Sequence, residues 1–174
     1  MKRFISIMVL LAMVFSISIV FTGCSGGGYE GVVKKYFKAM ETADGNAHLS
    51  LLAKDYINYM TGSGSWYKDE KAFKESLTED LQNDLSKYER EFGDKIRISP
   101  TITETKRYSS DEKESYSKKL TSWYGFKENS LQDIVELKVS AKITGSNGSG
   151  EYIYSGLKVI KIGGNWYIQK GNID

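Results

Sequence analysis

The sequence is short of three residue types that often carry structure or chemistry: it has one Cys, one His and one Pro among its 174 residues. A disulfide within the chain needs two cysteines, and a structural zinc site needs about four ligands, drawn mainly from Cys and His. Cys24 and His48 therefore exclude an intramolecular disulfide and supply too few ligands for a zinc site. We expect a domain that holds neither a metal nor a cofactor.

The sequence also lacks an excess of charge of either sign. It has 24 Lys and Arg against 22 Asp and Glu, and two of the cations, Lys2 and Arg3, precede the apolar N-terminal run. Residues 24–174 are therefore formally neutral. Proteins that bind nucleic acid usually concentrate Lys and Arg on one surface, so we expect no nucleic-acid partner.

The N-terminus carries the clearest motif of the chain. Two cations are followed by the uncharged run 4–21 and then by Gly23-Cys24. This order of a cationic, an apolar and a small-residue region is typical of a secretory signal. The small residue directly before the sole cysteine resembles the lipobox of bacterial lipoproteins.

The resemblance to a lipobox has consequences for processing and location. It implies that residues 1–23 are a signal peptide, that Cys24 carries diacylglycerol and palmitate, and that residues 24–28 form the lipidated cysteine and a glycine-rich tether. The protein would then lie on the extracytoplasmic face of the cell membrane, held to membrane lipid through Cys24. The alternative is an uncleaved transmembrane anchor, because the run 4–21 is long enough to span a bilayer of about 30 Å.

Residues 29–174 show the patterns of a single domain that begins with helices. Apolar residues recur every three or four positions over 29–43, which predicts an amphipathic helix. Asn46 is expected to cap a second, short helix, and segment 67–91 predicts a long, highly charged helix with one narrow apolar stripe. A capping box at Ser109 predicts a further helix, with its buried face at Tyr116, Leu120 and Trp123.

Strand patterns dominate the second half of the chain. A strand is predicted from Lys95, and Pro100 places it at a sheet edge or at a bulge. The alternation over 135–143 predicts a half-buried antiparallel strand. Helices followed by a strand, a helix and an antiparallel meander predict an α+β domain. The remaining predicted features are a hairpin turn at 145–150, a returning strand at 151–162 with a bulge at Gly156, a tight turn at 163–164 and a last strand at 165–170.

Two segments resemble the nuclear transport factor 2-like, or cystatin-like, family. Residues 32–52 look like the family's opening, with a Tyr36-Phe37 pair in the first helix and a Leu-Leu pair in the second. Residues 157–168 look like its closing hairpin, in which a glycine turn precedes Trp166-Tyr167. The resemblance implies N-terminal helices packed on a bent antiparallel sheet around a cone-shaped pocket. The long helix at 67–91 departs from the compact members of the family.

His48 is the first candidate for acid–base catalysis because it is the sole histidine. As a base it would need an orienting carboxylate, for which Asp44 and Asp55 are the local options. We interpret His48 instead as an exposed histidine on a helix surface, and we predict no catalytic residue.

Aromatic residues are the stronger candidates for binding, since the sequence has 12 Tyr and 3 Trp. We predict that Trp66, Tyr67, Tyr152 and Tyr154 contact a ligand such as a sugar or a peptide. The alternative is that these side chains fill the core, which is where we expect Trp166.

The sequence therefore favours a membrane-anchored, noncatalytic domain that binds an unknown small ligand or surface protein. The alternative is an extracytoplasmic enzyme that uses the cone pocket. The two interpretations differ in what the pocket contains. An ionisable group at the floor of an open pocket would indicate an enzyme, whereas a filled cone would indicate interaction through the outer face.

Overall fold

The computed structural model describes residues 28–170, so the predicted signal peptide, the predicted lipidation site Cys24 and most of the predicted tether lie outside the described residues. Within 28–170, no helix is both long enough and apolar enough to cross a membrane. The elements in chain order are α1 (Tyr29–Thr42), α2 (Gly45–Leu49), α3 (Lys54–Thr61), α4 (Glu70–Phe92), β1 (Arg97–Arg107), α5 (Ser110–Tyr124), β2 (Leu131–Gly145), β3 (Gly148–Ile162) and β4 (Asn165–Ile168).

The predicted second helix is in fact two helices, α2 and α3. Asp44 caps α2, because its carboxylate accepts a hydrogen bond of 2.9 Å from the Ala47 N–H, and the prediction of Asn46 as the cap is wrong. Between the two helices, the Leu51 carbonyl accepts a hydrogen bond of 2.8 Å from the Ile168 N–H of β4. This bond gives the Leu51 carbonyl a partner at the point where the helical hydrogen bonds are interrupted.

The long charged helix is confirmed as α4. It begins at Glu70, three residues later than predicted, because the Asp69 carboxylate accepts from the Ala72 N–H and caps the helix there. Gly93 ends the helix with a positive φ of 83°, a backbone conformation that favours glycine. The predicted apolar stripe faces the core, with Phe73, Leu77, Leu81, Tyr88 and Phe92 buried and Leu85 half-buried.

The strands form the predicted antiparallel meander, in the order β1-β2-β3-β4. β1 is an edge strand, which explains why it tolerates Pro100, and its register against β2 shifts after Ile102. The bulge at Gly156 is confirmed by its φ of 75° and by a second shift of register between β2 and β3. Gly163 and Gly164 both have positive φ, as a two-residue type I′ hairpin turn requires.

Helices cover one face of this sheet, which we call the inner face. α1 contacts the two edge strands, and α4 contacts the two central strands. The alternating residues of β2 that point toward these helices are buried, as the sequence predicts. This packing of helices on one face of an antiparallel sheet confirms the α+β class. The inner-face residues of β2 are Val135, Leu137, Val139, Ala141 and Ile143.

α5 begins at the predicted capping box and buries Leu120 completely. The prediction that Trp123 is buried is wrong, because 47% of this residue is exposed. Tyr124 takes its place, with its ring centroid 5.3 Å from that of Tyr56 in α3. The contact with α3 selects which side of α5 is covered, and the sequence of α5 alone does not contain that information.

Candidate functional site

The four aromatic residues predicted to bind a ligand lie in two separate places. Tyr67 stands before α4 and hydrogen bonds to Ser76, at 2.9 Å between the two oxygens. Tyr152 and Tyr154 lie on β3, where they contact Tyr88 near the other end of α4. Positions 76 and 88 of one helix are about 18 Å apart at 1.5 Å per residue. The four residues therefore do not form a single site.

Tyr152 and Tyr154 belong to an aromatic cluster on the inner face. The hydroxyls of Tyr154 and Tyr88 hydrogen bond to each other, and the Tyr154 ring lies 4.9 Å from Phe37. Tyr152 donates a hydrogen bond to the Glu91 carboxylate. Burial and the bond to Tyr88 raise the pKa of Tyr154, and the bond to Glu91 raises that of Tyr152. Both phenols are therefore neutral at physiological pH and already have a partner within the domain.

His48 is buried rather than exposed, so the interpretation as a surface histidine is wrong. Only 1% of it is accessible, because α2 is packed between α1 and α4. The absence of a side chain at Gly45 permits this packing, since a Cβ there would lie 2.0 Å from the Thr78 Oγ1. The Tyr36 ring covers His48 edge-on at 5.3 Å between centroids.

The surroundings of His48 hold it in the neutral form. Burial, with a smaller contribution from the Lys170 ammonium, lowers its pKa to about 4. Burial and the nearby Asp84 raise the pKa of Tyr36 to about 12. Lys170 itself lies 3.9 Å from the Asp80 carboxylate, and burial lowers its pKa.

His48 has no geometry for catalysis among the residues described. Neither of its ring nitrogens has a hydrogen-bond partner within residues 28–170. Asp44, one of its predicted orienting carboxylates, is engaged in capping α2. A general base must come within hydrogen-bond reach of the proton that it removes, and His48 is not among the residues that line five surface depressions of residues 28–170.

Trp66 is the predicted ligand contact that the structure leaves most accessible. It stands in the loop between α3 and α4, and 81% of it is exposed. The side chains of Trp66 and Tyr59 line the same depression, together with Asn58, Ser63 and Ser65. Asn58, Tyr59 and Ser63 were not predicted from the sequence as members of this site. The Gly-Ser-Gly-Ser run before Trp66 was the available signal, because it marks a loop that brings the chain back toward the end of α3.

Trp166 is half-buried, so the expected core position is confirmed only in part. Its ring packs edge-on against Tyr29 at 5.5 Å between centroids, and the Lys161 ammonium lies 5.9 Å from the ring centroid. These contacts join the last strand to the start of α1.

Trp166→Ala is expected to lower the free energy of unfolding by about 2 kcal/mol, since fully buried aromatic residues lose about 3–5 kcal/mol and this one is half-covered. Trp66→Ala removes an exposed side chain and is expected to change stability by less than about 0.5 kcal/mol. Urea unfolding of the two variants measures the difference. Equal midpoints would show that Trp166 does not join the last strand to α1.

Comparisons with known proteins do not assign a family. No family model matches the chain, and neither does a curated protein or a solved structure. Within the described part of the chain, no group of three or more His, Cys, Asp and Glu side chains could hold a metal ion. The features that bear on function are the filled inner face, the buried His48 and the exposed loop at Trp66.

Proposed function

We propose that this protein is an extracytoplasmic lipoprotein, anchored through an acylated Cys24, whose domain binds a small ligand or a surface protein without catalysing a reaction. The proposal that the domain does not catalyse a reaction rests on one observation, which is that side chains fill the inner face of the sheet. Phe37 contacts Tyr154 there, and Tyr88 and Phe92 contact Tyr152. Since side chains of the domain occupy this space, a partner has to use the outer surface.

Within the α+β class, we propose a nuclear transport factor 2-like cone. Three observations support it: α1 to α3 precede the sheet, the strands follow an antiparallel meander, and the register shifts at three places. Such irregularities bend a sheet. In this proposal α4 is the addition to the family pattern, and its apolar stripe fills the space where a cone-shaped pocket would lie.

An extracytoplasmic enzyme remains the alternative, and one observation favours it: a buried histidine, His48, beside the half-buried ring of Tyr36. Perturbed ionisable groups are common at active sites. They also occur where a polar side chain is simply enclosed by packing. Within residues 28–170, the His48 ring nitrogens have no hydrogen-bond partner and the side chain is buried, which makes binding the better supported function.

Cys24→Ala is expected to abolish incorporation of labelled palmitate into the protein and to leave the signal segment attached. The reason is that Cys24 is the sole cysteine and follows a small residue after an uncharged run. These are the features of the lipobox that this segment resembles. Cells that express the full chain are labelled, and the protein is recovered and compared by apparent mass. Ser25→Ala, one residue away, serves as the matched control and is expected to label normally.

Two results would count against this proposal. Equal labelling of the Cys24→Ala variant would show that another residue or a contaminant carries the lipid. Retention of an unlabelled wild-type protein in the membrane at the mass of the full chain would instead indicate the transmembrane anchor.

A further inference from the structure

The loop between α3 and α4 presents a tryptophan to solvent. Trp66 is the most exposed of the large apolar side chains within residues 28–170. Large aromatic side chains are usually withdrawn from water, since burying one removes about 150–250 Å² of surface. An exposed tryptophan therefore indicates a binding surface most clearly when hydrogen bonds fix the backbone that carries it.

The backbone on both sides of Trp66 is held by hydrogen bonds. The Ser65 N–H donates to the Gly62 carbonyl at 3.0 Å, and the Ser65 hydroxyl donates to the Tyr59 carbonyl. On the other side, the Tyr67 N–H donates to the Met60 carbonyl at 3.1 Å. The Tyr67 ring then packs at 4.9 Å from Phe73 at the start of α4. The residues before and after Trp66 are tied to the domain, and the indole between them points outward.

The hollow beside this indole, which we call the Trp66 depression, has a volume of about 450 Å³. That volume lies within the range of about 300–1,000 Å³ typical of ligand sites. Its lining combines two aromatic side chains with an amide, two hydroxyls and two glycines. The residues are Asn58, Tyr59, Gly62, Ser63, Gly64, Ser65 and Trp66.

Two polar side chains of the Trp66 depression, those of Asn58 and Ser63, are available to a ligand. Asn58 and Ser63 are exposed, and their side chains make no hydrogen bond to other residues within 28–170. An amide can both donate and accept, and so can a hydroxyl. No residue that lines the depression carries a charge, although Asp55 and Lys68 stand nearby in the sequence.

We propose that the Trp66 depression binds a pyranose unit of a neutral oligosaccharide. This inference rests on the proposed function as a noncatalytic binding domain, and it names the class of ligand. A pyranose ring has C–H groups on its faces and hydroxyls around its rim. The indole of Trp66 can cover a C–H face, while the Asn58 amide and the Ser63 hydroxyl pair with the rim.

The absence of charge in the lining is what selects a neutral sugar. A phosphate or carboxylate ligand would lose hydration on entering the depression and find no cation in the lining to compensate. A cationic ligand would likewise find no carboxylate there. A peptide that binds by adding a strand to a sheet needs a strand edge for its backbone hydrogen bonds, whereas this depression is formed by the end of α3 and a loop.

The test is a titration of the full chain with cellotetraose, maltotetraose and chitotetraose, followed by the NMR signals of the tryptophan indole N–H groups. At least one of these sugars is expected to shift the Trp66 signal with a Kd of about 1 mM or below, which corresponds to roughly 4 kcal/mol of binding free energy. Trp66→Ala is expected to weaken binding at least about tenfold. Trp66→Tyr keeps an aromatic ring at this position and is expected to retain most of the binding affinity.

Trp123→Ala is the matched control, because Trp123 is also exposed but does not line the depression. It is expected to bind the sugar as the wild type does. Absence of binding by all three sugars up to about 10 mM would overturn the inference. So would equal losses in the Trp66 and Trp123 variants, or tighter binding of the charged tetragalacturonate. Since palmitate labelling of Cys24 does not depend on Trp66, a failed titration leaves the proposed anchoring unaffected.

Discussion

Phe37→Ala is expected to lower the free energy of unfolding by about 3–5 kcal/mol, the range for truncating a fully buried aromatic side chain. Phe37 has no solvent-accessible surface, and its side chain packs from α1 against the inner face of the sheet. Its ring is 5.3 Å from that of Tyr36 and 4.9 Å from that of Tyr154. Removal of the ring would leave a cavity at the contact that joins the helices to the sheet. Because a domain is usually stable by only about 5–15 kcal/mol, this variant is expected to be close to unfolding at 37 °C.

Urea unfolding of the full chain at neutral pH measures this loss, and Lys34→Ala provides the matched control. Lys34 lies on the exposed side of the same helix, so its truncation is expected to change stability by less than about 0.5 kcal/mol. A loss below about 1 kcal/mol for Phe37→Ala would mean that α1 is not packed on the sheet as described.

Acidification from pH 6.5 to pH 4 is expected to remove about 3 kcal/mol of stability through His48 alone. Burial lowers its pKa in the folded protein to about 4, whereas the unfolded chain has the ordinary value of 6.5. Above pH 6.5 the histidine is neutral in both states, and the contribution is constant. As the pH falls below 6.5, the unfolded chain binds a proton that the folded protein does not, so the unfolded state is favoured. The loss is complete near pH 4, where the folded protein also takes up the proton.

His48→Leu is expected to flatten this dependence of stability on pH. At pH 7 the variant should be as stable as the wild type or more stable, since the two ring nitrogens have no partner within residues 28–170 and their burial costs free energy. Unfolding free energies at pH 7, 6 and 5 for both proteins are the measurement. Equal stability of the wild type at pH 7 and pH 5 would contradict the burial of a neutral histidine.

Measurements above pH 4.5 separate the titration of His48 from that of a carboxyl group with a lowered pKa, such as Glu41. Burial of Glu41 acts to raise its pKa, but hydrogen bonds from Lys38, from the Ile98 N–H and from Arg97 outweigh this and lower it below 4.5. A carboxyl group whose pKa is lowered on folding stabilises the folded protein at any pH above the pKa that the group has in the unfolded chain. This stabilisation is lost only as the pH falls below that unfolded-state pKa. The loss of stability between pH 6.5 and 5 is therefore assigned to the histidine.

Local elements were predictable because their signals lie within a few residues of one another. The apolar spacing in 29–43 led to α1, the alternation over 135–143 led to β2, and the glycine pair at 163–164 led to the last hairpin turn. The bulge at Gly156 was also predictable, because a change of phase in the alternation exposes an extra residue. Pro100 likewise indicated an edge strand, since it cannot donate a hydrogen bond to a second neighbour.

The surroundings of individual side chains were harder to predict. Trp123 has the spacing of a buried residue in α5, yet α3 covers Tyr124 instead. His48 lies between Ala47 and Leu49 in a short polar helix, and only the tertiary structure shows that α1 and α4 enclose it. Tyr59 and Trp66 are seven positions apart, and only the hydrogen bonds of the intervening loop bring them to one depression.

The sequence by itself determined the α+β class, the succession of helices and strands, and the candidate Cys24 motif. These follow from periodicity, capping residues and turn residues, which act over one turn of helix or one pair of strands. Only the tertiary structure decided that the inner face is filled, that His48 is buried and neutral, and that Trp66 is presented beside Tyr59. Those outcomes depend on which helix covers which face, and that choice is set by the packing of side chains far apart in the chain.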